Sequence, residues 1–331
     1  MPMPPVTGPS TSPAGADAPP PLALEALSLN AWPALRTLHY DGWLLRFSAG
    51  YTRRANSVQV LYPGSLHPAQ KIAYCEDRYT AEGLLPIFKL TSATGEPILD
   101  SLLAARGYRR EAPTSVQLLP LDAGAGATSC GAAAAGGAYA DTPLDPALEV
   151  WHSTDPAPEW IDAFCRLSGT APSHRQTMDR ILWAVPPRRR CFAIRHDGAM
   201  VATALTVLER GCAGILDLVV DPALRGRGLG TALMGHLLRR AAGEGARYAY
   251  LQVMCANLPA VRLYARLGFR EVYTYWYRVR RADASDTCGT CGTESGHAST
   301  NLPAARCMRC RPAGRTLPGQ SEHAGHAGQV G

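Results

Sequence analysis

Apolar and polar positions follow the clearest periods between residues 145 and 281. Leu148 to His152 reads as a short strand, and Glu159–Leu167 and Arg175–Val185 show the three-to-four-residue apolar spacing of helices. The β-like runs Cys191–Ile194 and Met200–Val207 flank His196-Asp197-Gly198, and Asp-Gly between such runs predicts a hairpin, because the pair accepts the positive φ of a tight turn. Ile215–Val220 follows as a strand. Leu229–Ala242 carries apolar residues at 229, 233, 237, 238 and 241, one face of a helix. Tyr248–Met254 reads as a strand, Pro259–Leu267 as a helix stopped by Gly268, and Phe269–Val279 as extended and aromatic. This pattern predicts an α/β (α+β) block with a mixed sheet.

Residues 21–121 repeat part of it. Leu38-His39-Tyr40-Asp41-Gly42-Trp43 matches the hairpin at Asp197-Gly198, and Leu102–Arg109 parallels Leu263–Arg270. The two signals stand 65 residues apart from Gly42 to Gly107 and 70 apart from Gly198 to Gly268, which suggests a duplicated fold. Residues 1–20 and 122–144 are rich in small and turn-forming residues and are expected to be disordered and a flexible linker. Residues 282–331 read as a flexible Cys-rich tail, since such compositions bury too little to offset ordering entropy.

Composition narrows the classes. With 331 residues, 46% apolar and 18% charged, the chain has material for two domains and is no charge-rich disordered protein. No apolar run reaches the roughly 18 residues of a membrane span. Met1–Pro21 has neither Lys nor Arg and lacks the basic and apolar segments of a secretory signal, so a cytoplasmic protein is expected. The net charge of +6 gives a mild preference for anionic partners.

The most informative segment is Leu216–Thr231. A strand ends at Val220, Pro222 stops it, a Gly- and Arg-rich loop follows, and a helix opens near Leu229. A helix N-terminus reached through glycines suits a phosphate: its first N–H groups are unpaired, its dipole favours an anion, and Gly226, Gly228 and Gly230 permit close approach. Arg225 and Arg227 add forked donors. Arg225-x-x-Gly228-x-Gly230 resembles the R/Q-x-x-G-x-G/A loop of the GNAT family of acyl-CoA-dependent N-acyltransferases. Asn257-x-x-Ala260-x-x-x-Tyr264-x-x-x-Gly268-Phe269 resembles the same family's second motif. The first block looks like a degenerate GNAT repeat: Pro63-Gly64-Ser65-Leu66-His67 follows its strand Ser57–Tyr62 in place of the loop. Asp41–Arg46 with Thr52–Ser57 resembles a subgroup of bacterial GNAT proteins.

The resemblance implies the GNAT fold over 145–281, a mostly antiparallel sheet splayed at an acyl-CoA cleft, preceded by a degenerate GNAT-like domain over 21–121. It implies acetyl-CoA as co-substrate, held by Leu218, Val219 and Val220 along the pantetheine arm and by Arg225, Gly226, Arg227, Gly228, Leu229, Gly230 and Thr231 at the pyrophosphate. Asn257 would cap its helix or touch the cofactor. An amine of a small molecule or protein would attack the thioester directly, with Tyr264 protonating the departing thiolate. The rival is an inactive acyl-CoA sensor or scaffold.

Asp217 is a candidate base; alternation along its strand places it opposite Leu216 and Leu218. Glu209 is a weaker one. Arg188-Arg189-Arg190 reads as a solvated turn. In the tail, Cys288-x-x-Cys291 and Cys307-x-x-Cys310 have the spacing of a tetrahedral zinc site, with a thiol pair that does nothing, or a redox disulfide, as the alternative. The tail lacks the basic–aromatic pattern of a nucleic-acid partner.

Overall fold

Two Asp-Gly turns, each followed by two strands and then a helix, set out the architecture. The computed structural model describes residues 17–93, 97–121, 145–186 and 188–280. The first half runs α1 (Pro21–Ala31), β1 (Arg36–Tyr40), β2 (Trp43–Phe47), β3 (Val58–Val60), α2 (Pro68–Ala81), β4 (Ile87–Thr91), α3 (Pro97–Ala105) and β5 (Arg109–Pro120). The second runs β6 (Leu148–Ser153), α4 (Pro158–Ser168), α5 (Arg175–Ala184), β7 (Arg189–His196), β8 (Ala199–Glu209), β9 (Cys212–Val220), α6 (Leu229–Gly243), β10 (Tyr248–Met254), α7 (Leu258–Arg266) and β11 (Arg270–Val279). The order hairpin, strand, helix, strand, helix, strand therefore occurs twice, as β1–β5 and as β7–β11.

All of these strands join one open, mostly antiparallel sheet in the order β1-β2-β3-β4-β11-β5-β10-β9-β8-β7-β6. The parallel pairs are β3 with β4 and β9 with β10, the same step in each half. The two last strands are exchanged. β11 lies between β4 and β5 of the first half, and β5 lies between β11 and β10 of the second. Each half thus receives one strand that its own sequence does not supply.

Apolar faces close over both sides of the sheet. Leu233 and Leu237 of α6 pack on Leu251 and Phe269. Trp160, Ile181 and Leu182 from α4 and α5 form a second core that also takes in Trp32 and Ala55 from the first half. Trp43, Ile72, Phe88 and Leu103 make the core of the first half. Across the exchanged strands, α1 is pinned by charge: Lys89 Nζ meets buried Glu25 at 2.6 Å, and the Tyr273 hydroxyl donates to the same carboxylate at 2.6 Å.

In the first half, Pro63–His67 precedes α2 where the second half has its Gly/Arg loop. The Asp41 carboxylate fills this place. It accepts the N–H groups of Ser65 at 2.8 Å and Leu66 at 3.0 Å and pairs with Lys71 at 3.1 Å. Those backbone donors, then Lys71, hold Asp41 well below the usual carboxylate range. An internal anion thus sits at the N-terminus of α2.

Candidate active site

β9 parts from its neighbour where a ligand could enter. Its ladder with β10 covers only Cys212–Ile215 against Tyr248–Leu251, while β9 continues to Val220 and β10 to Met254. From Leu216 onward β9 is paired on one side only, with β8. Leu218, Val219 and Val220 lie half-buried along this unpaired edge. Backbone groups on such an edge can take an extended amide-bearing chain as an added strand.

The loop at the end of β9 is built for an anion. Asp221 accepts the Ala223 N–H at 2.9 Å, and Arg225 Nε donates to the Val220 carbonyl at 3.3 Å, folding the chain back. Gly226 at φ +78 and Gly228 at φ +82 adopt the left-handed region that side chains disfavour, and a Cβ at either would meet nothing within 4 Å. Gly228 caps α6 without any side-chain hydrogen bond, and the first turn holds no acidic residue. The N–H groups of Leu229, Gly230 and Thr231 thus face outward beside the positive end of the helix dipole, with Arg227 exposed next to them. These features fit a pyrophosphate. Gly230 differs from its neighbours: a Cβ there would make ordinary contact with Leu263 at 3.5 Å and Val220 at 3.7 Å.

Tyr264 stands on α7, whose start is fixed by Asn257. The Asn257 Oδ1 accepts the Ala260 N–H at 3.3 Å, which is the capping role. Tyr264 is 8% exposed and packs in the same cluster as Leu218 and Val220, edge-on to Phe269 at 5.9 Å between ring centroids. Burial pushes its phenol up to about 12, so it keeps its proton at neutral pH. Among the described residues its hydroxyl makes no hydrogen bond.

Asp217 departs from the sequence expectation. Thr203 pairs with Val219 but Leu205 pairs with Leu216, so β9 holds one extra residue in a bulge, with Asp217 at φ +54. The bulge breaks the alternation: Leu216 and Val219 pack into the α4–α5 core, Leu218 and Val220 into the α6 core. Leu216 and Leu218 therefore do not share a face.

Asp217 Oδ1 receives Arg54 Nη2 at 2.8 Å, with Asp217 9% and Arg54 28% exposed. The Arg54 guanidinium lies over the Trp32 ring at 4.8 Å. Burial works to lower the Arg54 pKa, but Asp217 together with the Tyr275 and Tyr277 phenols outweighs it, and the net shift is upward. Asp217 Oδ2 is buried and has no hydrogen-bond partner.

Arg54 comes from the first half, and its only signal in the sequence is its place in the Thr52–Ser57 phrase. The same segment brings Tyr51, whose hydroxyl is 3.4 Å from Thr170 Oγ1, and Arg53, which pairs with Glu111 at 2.7 Å. The structure does not bring Tyr264 and Asp217 into hydrogen-bond contact. They flank the open edge of β9 from different packing clusters.

Other candidates resolve differently. Glu209 ends β8 at the hairpin away from the splay and accepts two hydrogen bonds from Asn30. Arg189 and Arg190 are strand residues rather than a solvated turn: Arg189 is buried on the Val185 carbonyl and Asp155, and Arg190 pairs with Glu244. A hollow of about 550 Å³ lined by Val150, Phe192, His236 and Arg240 lies toward the C-terminal end of α6, opposite to its glycine-lined start. Among the described residues no three His, Cys, Asp or Glu are grouped to hold a metal, and no helix is long and apolar enough to cross a membrane. Cys288, Cys291, Cys307 and Cys310 lie outside the described residues.

Known proteins resemble this chain in sequence and in fold. Residues 154–269 match the acetyltransferase (GNAT) family. The chain is 27% identical over 258 residues to an uncharacterized N-acetyltransferase, YobR, of Bacillus subtilis, covering 78% of this chain and 98% of the relative. It is 35% identical over 80 residues to the ribosomal protein bS18-alanine N-acetyltransferase of Escherichia coli, covering 24% of this chain and 54% of that relative. The matched stretch thus spans about half of the latter enzyme. In structure, a GCN5-related N-acetyltransferase from Kribbella flavida aligns with a TM-score of 0.57 at 17% identity, over 80% of this chain and 97% of the other. That likeness concerns the fold.

Proposed function

We propose that the chain, whose residues 154–269 match the acetyltransferase (GNAT) family, is an N-acetyltransferase that moves an acetyl group from acetyl-CoA directly to a primary amine of a small molecule or protein. The observation that carries the acetyl-CoA part is the one-sided β9 edge running into an uncapped, glycine-lined helix N-terminus. Acetyl-CoA supplies an acyl thioester. Leu218, Val219 and Val220 offer backbone groups to its pantetheine arm, and the loop from Arg225 to Thr231 offers N–H groups and guanidinium donors to its pyrophosphate. Tyr264, neutral because it is buried, donates a proton to the departing sulfur. Asp217 Oδ2 accepts a proton from the acceptor amine. No acyl-enzyme is needed.

The test is calorimetry of the full chain with acetyl-CoA. Wild type binds, and Gly228→Val weakens binding at least about tenfold, because valine strains a left-handed position and crowds the cradle. Equal affinity in a folded Gly228→Val would refute this placement of the pyrophosphate.

A further inference from the structure

Resting on that acetyl-transfer reading, we infer that the acceptor is an α-amino acid, its amine held by Asp217 and its carboxylate by Arg54. Three observations converge. Asp217 is nine-tenths buried, its Oδ1 is taken by Arg54, and its Oδ2 has no donor. A buried carboxylate oxygen without a donor is costly, so the position suits a donor that arrives with the ligand. Among the described residues the Arg54 guanidinium makes only the Nη2–Oδ1 hydrogen bond, which leaves most of its five-donor fork unused, and it lies over the Trp32 ring at 4.8 Å. The pair sits on the β9 bulge at the open edge, where an acyl group lying along that edge would be presented.

A carboxylate oxygen and a guanidinium fork, side by side, present opposite charges at short separation. An α-amino acid carries its amine and its carboxylate on one carbon and satisfies both together. A plain amine would answer Oδ2 but leave the fork unused, and an acid without an amine would meet the Asp217 charge.

The chemistry balances. The acceptor ammonium gives one proton to Asp217 Oδ2, exposing its lone pair. The nitrogen forms its bond to the acyl carbon, and the carbon–sulfur bond breaks. The sulfur takes a proton from Tyr264, which the second nitrogen proton replaces; the proton on Asp217 passes to water. The products are an N-acetyl amino acid and the free thiol.

The experiment measures thiol release by the full chain with acetyl-CoA. The acceptors are the proteinogenic α-amino acids, each compared with the amine of the same side chain lacking the carboxylate. At least one amino acid should exceed its decarboxylated partner in kcat/KM by about 10–100-fold, the scale of a charged hydrogen-bonded contact. Arg54→Met should bring that ratio within about threefold, and Arg54→Lys, which keeps the charge and loses the fork, should restore part of it.

Three results overturn the inference: no amino acid is turned over, the decarboxylated amines are preferred, or a folded Arg54→Met keeps the preference. The wild-type comparison stands even if the variant misfolds. Calorimetry separates the two levels. No acetyl-CoA binding by wild type overturns the cofactor reading and this inference with it, whereas intact binding without the preference overturns this inference alone.

Discussion

Replacing Tyr264 by Phe isolates one hydroxyl. The ring is retained, and with it the edge-on contact to Phe269 at 5.9 Å and the packing in the α6 cluster. The hydroxyl has no hydrogen-bond partner among the described residues, so its removal strands no buried group, and the change in stability should stay within about 0.5 kcal/mol. What is lost is a proton donor. General acid catalysis contributes about 10²–10⁴-fold, or about 3–5 kcal/mol of barrier. The phenol is pushed up to about 12 by burial, so it remains protonated through the working range. The deficit in Tyr264→Phe should therefore be the same between about pH 6 and about pH 9. The assay is single-turnover thiol release with acetyl-CoA prebound and acceptor saturating, which removes product release from the measurement. Calorimetry should show acetyl-CoA affinity changed by less than about threefold. An unchanged single-turnover rate in a folded Tyr264→Phe would refute the acid role.

Alkaline conditions give a second expectation. Tyr51 and Tyr264 are both pushed up to about 12 by burial, above the ordinary tyrosine value of about 10. Their contribution to stability is complete below about pH 10 and is lost as pH rises to about 12, because only the unfolded chain ionises in that window. Urea unfolding at the two ends should show the fall, and Tyr264→Phe should make it shallower. A third concerns the halves: residues 145–281 expressed alone should be poorly folded and fail to bind acetyl-CoA, because β10 and β11 lose β5 from between them. A cooperative thermal transition with normal affinity would contradict this. A fourth concerns the tail, where the spacing of Cys288, Cys291, Cys307 and Cys310 predicts about one zinc per chain. Metal analysis of protein purified without chelator should find it, and Cys288→Ser with Cys310→Ser should abolish it.

The elements of the second half were legible because each has a local cause. The Asp197-Gly198 turn, the apolar face of α6 and the aromatic run of β11 fall within a few residues of where period and turn chemistry place them. The glycine loop, the start of α6 and the capping Asn257 stand where the sequence placed them for the same reason, since each is a local signal. Partnership was not. The aromatic run Phe269–Val279 identifies an extended segment, but nothing in it says which strands flank it. The bulge at Asp217 was hidden because alternation assumes an unbroken ladder, and one inserted residue reverses every face beyond it. Arg54 was hidden because its partner lies 163 residues away. Long-range ion pairs leave no period in sequence.

The exchanged strands also set the order in which this molecule can come into being. β5 ends at Pro120, yet its two neighbours in the sheet, Tyr248–Met254 and Arg270–Val279, are among the last described segments to be made. At a synthesis rate of about 5–20 residues per second, the interval from Pro120 to Val279 is roughly 8–32 s. For that time the first half stands with β4 and β5 unjoined, its apolar strand edges offered to whatever else the cell contains. Neither half can finish before the other, so a ribosome that stalls anywhere before Val279 releases two incomplete halves rather than one finished domain and a fragment.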